Sequence, residues 1–143
     1  MNNSTGTPWH RVLSEFLDHC ERIRAPNRED VSALAHRLCQ ILDEAPDAVR
    51  EHFEPPLSST VARLVERGWT EQILLLTTER VGLMASRAAS GDAIATIAVP
   101  SLDIERSFSS PHSLAHALTG AIAATALGIV ASDLGPADLD DIA

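Results

Sequence analysis

The sequence predicts a mainly α-helical fold, a compact bundle of five or six helices. Three observations carry that expectation. Apolar residues recur at three- and four-residue spacing over most of the chain, as one face of a helix requires. Proline, glycine and small polar residues fall where helices start and stop. Aromatics make up only 3% of a chain that is 45% apolar, so the core has to be aliphatic. An α+β alternative, with a small β-hairpin or meander in residues 72–105, competes in the centre.

The first helix is introduced by Thr7 as N-cap and Pro8 at the first position, where a missing N–H costs nothing. Trp9, Val12, Leu13, Phe16, Leu17, Cys20 and Ile23 form its stripe, and Pro26 ends it. Asn27 caps the second helix, with Asp30 three residues on in the manner of a capping box. Val31, Leu34, Ala35, Leu38, Ile41, Leu42 and Ala45 make the stripe, closed by Pro46. A short helix is expected over Asp47 to Phe53, before Pro55 and Pro56. A fourth starts at Ser58 or Ser59 and ends at Gly68.

Thr70 to Ala89 reads as one helix with Ile73, Leu74, Leu76, Val81, Met84, Ala85 and Ala88 inward. The competing strands would be Ile73 to Thr78 and Ala93 to Val99, the latter after a Ser90-Gly91-Asp92 turn. Pro100 to Ser110 reads as a loop. Ser110 then caps a long last helix with Pro111 at its first position, stopped by Gly135-Pro136. Pro111 to Ser132 contains no charged residue, which is long enough for a membrane span. Its alanine and glycine content, its histidines and threonines, and the absence of a basic flank read instead as a buried helix with no membrane role.

At 143 residues the chain is expected to be a single domain over 1–143, with flexible residues 1–6 and an acidic tail at 137–143. Twenty acids against eleven bases give a net charge of -9, and every base is arginine. The densest arginine cluster, Arg22, Arg24 and Arg28, has an acid at each edge. Nucleic acid is therefore not expected as a partner, because phosphate neutralisation needs a basic patch. The missing lysine excludes pyridoxal-type Schiff bases and a P-loop lysine. No Gly-rich nucleotide fingerprint occurs. Cys20 and Cys39 are too few for a disulfide framework, and no signal peptide precedes them, so a reducing cytoplasmic location is the expectation.

Chemistry-bearing candidates are few. His112 and His116 stand four apart, hence on one face of the last helix, and are the catalytic candidates. The spacing also suits zinc, but a glutamate beside the first histidine and a third ligand are both missing, so no metal is expected. Arg80 and Arg87, with Met84 between them, fall on a mostly apolar side of the helix read over 70–89. There they would clamp a carboxylate or phosphate, or else pair with acids of a neighbouring helix. Gly120, Ala124 and Gly128 recur every four residues and would let another helix approach closely, which suggests a homodimer seam.

The function expected is a non-catalytic one: a helical homodimer binding an apolar-anionic small molecule or a peptide in a groove between helices. The alternative is an acid–base enzyme that needs no cofactor. It would perform a cyclisation, isomerisation or elimination in a biosynthetic pathway, using His112 and His116 with Arg80 and Arg87.

Overall fold

The structure, a computed structural model, describes residues 8–134. The expectations for residues 1–6 and 137–143 lie outside that range. In chain order the described residues form α1 (Trp9–Arg22), α2 (Arg28–Asp43), α3 (Asp47–Arg50), α4 (Ser58–Glu66), α5 (Thr70–Thr77), β1 (Gly82–Arg87), β2 (Ala93–Val99), β3 (Ile104–Ser110) and α6 (Leu114–Leu134). The expectation of a mainly α bundle is thereby corrected to α+β. The three strands form an antiparallel meander in the order β1-β2-β3. It covers residues 82–110, later in the chain than the 72–105 of the alternative reading.

Local chemistry explains the N-terminal half. Asn27 and Asp30 make a reciprocal capping box: the Asp30 N–H donates to Asn27 Oδ1 at 2.8 Å, and the Asn27 N–H to Asp30 Oδ2 at 3.0 Å. The Trp9 indole N–H donates to the Ile41 carbonyl at 2.7 Å and ties α1 to α2. Gly68, at φ +76°, closes α4 in the left-handed conformation that glycine adopts without steric penalty.

The central helix of the reading breaks in two. α5 stops at Thr77, whose hydroxyl turns back to the Ile73 carbonyl at 2.8 Å, while the Thr78 hydroxyl reaches Leu75 at 3.0 Å. Residues 82–87 then pair with β2, Leu83 opposite Ile97 and Ala85 opposite Ala95. Leu, Met, Ala and Arg are good helix formers, so here tertiary pairing overrides local preference. Gly91, at φ +103°, makes the β1–β2 turn, with the Ala88 N–H donating to the Asp92 carbonyl at 2.8 Å. β3 occupies the segment read as a loop.

α6 is the axis of the molecule. β2 and β3 pack against it, and so do α1, α2, α3 and α5. Among the described helices it is long and apolar enough to cross a membrane, but 72% of that apolar window is buried by these neighbours. It is a core helix of the fold. Its buried threonines are satisfied within the helix: the Thr119 and Thr125 hydroxyls donate to the Ala115 and Ala121 carbonyls at 2.8 and 2.7 Å.

β2 turns Ala93, Ala95, Ile97 and Val99 onto α6, all buried. The row Gly120, Ala124, Gly128 faces β3. A Cβ at Gly120 would collide with the Phe108 ring, and one at Gly128 would lie 3.2 Å from Arg106 Nη2 and 3.3 Å from Ile104 Cγ2. The surface that suggested a homodimer seam is thus filled by a strand of the same chain.

Candidate functional site

The two histidines do not share a face. α6 begins at Leu114, and Ser113, not Ser110, caps it by accepting the His116 N–H at 3.0 Å. His112 therefore lies before the helix and is exposed, whereas His116 is buried at 2% exposure. Both ring nitrogens of His116 are engaged: Nε2 lies 2.8 Å from the Cys20 carbonyl oxygen and Nδ1 lies 2.9 Å from Ser110 Oγ. A carbonyl only accepts, so Nε2 carries the proton and Nδ1 accepts from the Ser110 hydroxyl. The Ser110 oxygen in turn accepts the Ser113 N–H at 3.2 Å. This network ties the end of α1, the end of β3 and the start of α6. It leaves His116 no nitrogen free to move a proton, so the catalytic pair drawn from the sequence is not assembled.

The arginine clamp is not assembled either. Arg80 lies in the turn after α5 and donates to Glu54 at 2.7 Å, the two side chains being 57% and 61% exposed. Arg87 ends β1, exposed, and Met84 is 73% exposed on the other side of the same strand. Without a helix over 70–89 these three residues share no face. Arg80 does pair with an acid, but Glu54 lies in the segment between α3 and α4 and not on a neighbouring helix as the competing reading had it.

Neither cysteine is disposed to act as a nucleophile. Both thiols are free and buried. Burial pushes Cys20 up to about 12, and the Glu21 carboxylate adds to the rise. Burial likewise pushes Cys39 up to about 11, the neighbouring Thr77 side chain working the other way. A thiol with so high a pKa supplies almost no thiolate at neutral pH. Among the described residues, no three His, Cys, Asp or Glu side chains gather as a metal-holding group.

What the fold does build is a cleft of about 760 Å³ at the starts of α2, α5 and α6. Arg28, from the first turn of α2, lines it together with Trp69, Glu71 and Leu75 from the α5 region and His112 and Ser113 from the approach to α6. Trp69 and Leu75 are large apolar side chains left 53% and 44% exposed. The α2 and α5 starts carry acids of their own, Glu29, Asp30 and Glu71, which balance those helix dipoles. α6 has no acid in its first turn. Among the described residues, no backbone carbonyl or side chain accepts from its Leu114 and Ala115 N–H groups.

Sequence reasoning passed over Trp69 and gave Arg28 no role in a site. The available signal was a bulky aromatic directly after a helix-closing glycine, in a chain with two Trp, three Phe and no Tyr.

The architecture defines an α+β protein: a meander packed on α6, with an open cleft formed where α2, α5 and α6 start. No family model matches the chain, and neither a curated protein nor a solved structure matches it.

Proposed function

We propose that this protein binds a small molecule that is apolar over most of its surface and carries one carboxylate. The observation that supports this reading is the cleft itself. It sets exposed Trp69 and Leu75 beside Arg28, His112 and the acid-free start of α6. Ligand sites combine apolar surface with polar groups that fix orientation, and this cleft offers both, Val31, Trp69 and Leu75 standing among Arg28, Gln72 and His112. The carboxylate is placed toward the α6 start and Arg28, where free N–H groups and a guanidinium favour an anion. Glu71 at the same rim disfavours a dianion. The two free thiols fit a reducing, cytoplasmic setting.

The test is calorimetric titration of the full chain with octanoate and 2-naphthoate, in wild type and in Arg28→Gln. Arg28 is exposed at the first helical position, so the substitution should leave the fold intact. A charge-assisted hydrogen bond contributes about 1.5–3 kcal/mol, so affinity should fall on the order of tenfold to a hundredfold. Failure of both acids to bind, or affinities indifferent to Arg28→Gln, would overturn the reading.

A further inference from the structure

We infer that the apolar part of the ligand is planar and aromatic, and that it stacks on the indole of Trp69. This rests on the reading of the cleft as a carboxylate site and narrows the class to aromatic carboxylates.

The backbone at Trp69 is fixed. The Gly68 N–H donates to the Val65 carbonyl at 3.0 Å and the Trp69 N–H to the Leu64 carbonyl at 2.9 Å, with Gly68 at φ +76°. These are the two bonds of a Schellman closure, with Trp69 at its last position. On the next residue, Thr70 Oγ1 lies 3.0 Å from Ser32 Oγ and is buried. A large apolar side chain at the end of this motif ordinarily folds back on its own helix. Trp69 instead stands 53% exposed at the cleft.

One face of its ring is already taken. The Arg67 guanidinium carbon lies 5.4 Å from the ring centroid. Arg67 lines a separate groove beside His36 and Val65, whereas Trp69 lines the cleft and not that groove. Arg67 does not line the cleft, so the guanidinium leaves the part of the indole that borders the cleft open to an occupant. An aromatic ring on a fixed backbone, with a cation over one face and half of its surface exposed at the cleft, suits a flat partner of large contact area. Elsewhere the aromatic side chains are engaged: Phe16 and Phe53 are buried, Trp9 donates to Ile41, and the Phe108 ring meets His116 edge-on at 5.3 Å.

The test compares 2-naphthoate with its saturated decahydro analogue, which has the same carboxylate and a similar size but no planar π-face. Calorimetry is run on the full chain, in wild type, Trp69→Leu and Trp69→Phe, with far-ultraviolet circular dichroism to verify each fold. Wild type should prefer 2-naphthoate on the order of tenfold. Trp69→Leu should bind the two acids equally, and Trp69→Phe should recover part of the preference. Equal affinities in wild type, or a planar preference that survives Trp69→Leu, would overturn the stacking inference while the carboxylate reading stands. If neither acid binds wild type, the carboxylate reading falls and takes this inference with it.

Discussion

The ring of Phe108 on β3 occupies the space that a side chain at Gly120 of α6 would need. A Cβ built at Gly120 would collide with three atoms of that ring. The contact lets the strand approach the helix closely enough for both to share one core. Gly120→Ala should therefore destabilise the fold by about 1–3 kcal/mol, even though alanine is the better helix former. Gly128→Ala meets atoms at 3.2 Å and beyond, one of them the end of a flexible arginine, so its cost should be much smaller. Urea unfolding of the two variants measures the difference. Placing Gly120→Ala in a Phe108→Ala background, which removes the three clashing atoms, should abolish most of the added loss; full additivity would show that the pair is not coupled.

The parts of the fold that could be read in the sequence are those whose structure is local. The Asn27–Asp30 box, the Pro26 and Pro46 stops and the Gly68 closure depend on side chains reaching a few residues along the chain. β1 and β3 depend instead on pairing across the chain. β1 reads Gly-Leu-Met-Ala-Ser-Arg, mostly helix formers, and becomes a strand because β2 pairs with it. β3 places Ile104, Arg106, Phe108 and Ser110 at alternate positions, so only two of the four are apolar. That alternation is too weak to mark a strand among so many serines.

The candidate site was misplaced for a related reason. Ser110-Pro111 is a good helix opening by local rules, and it put His112 and His116 on one face. The true start at Ser113 separates them, because the Ser110 hydroxyl is committed to His116. The real cleft unites residues from three distant stretches of chain, and no spacing in the sequence encodes that meeting.

His116 should behave as a structural residue. Substitution by leucine leaves the Cys20 carbonyl and the Ser110 hydroxyl buried without their partner. Each orphaned group costs about 1–3 kcal/mol, so His116→Leu should lower the unfolding midpoint sharply. His112→Leu, at an exposed position, should change stability little. Equal midpoints for the two variants would remove the network from the account of the fold.

Arg80 and Arg87 should be nearly silent. The Arg80–Glu54 pair is more than half exposed on both sides, and such pairs contribute about 0.2–1 kcal/mol. Arg80→Gln and Arg87→Gln should therefore leave stability almost unchanged, and 2-naphthoate affinity as well, since neither residue lines the cleft. A tenfold loss of affinity in either variant would move the anion site away from Arg28.

Alkaline stability isolates the two cysteines. The chain has no lysine and no tyrosine, and its arginines titrate only above the range of interest. Between pH 9 and about 11, the side chains that change charge on unfolding are therefore Cys20 and Cys39. Both folded thiols are raised from 9.0, Cys20 to about 12 and Cys39 to about 11, chiefly by burial. The folded state thus holds its thiol protons more tightly than the unfolded state does. Stability is fully present below pH 9 and is lost as pH rises toward the folded values, because only the unfolded chain then releases protons. Unfolding free energy from urea titrations should be level from pH 8 to 9 and fall steadily from pH 9 to 11. The Cys20→Ser/Cys39→Ser double variant has a lower starting stability but no such group, and its curve should stay level through pH 11. A wild-type curve that is level to pH 11, or a double variant that falls as steeply as wild type, would show that these thiols are not buried as described.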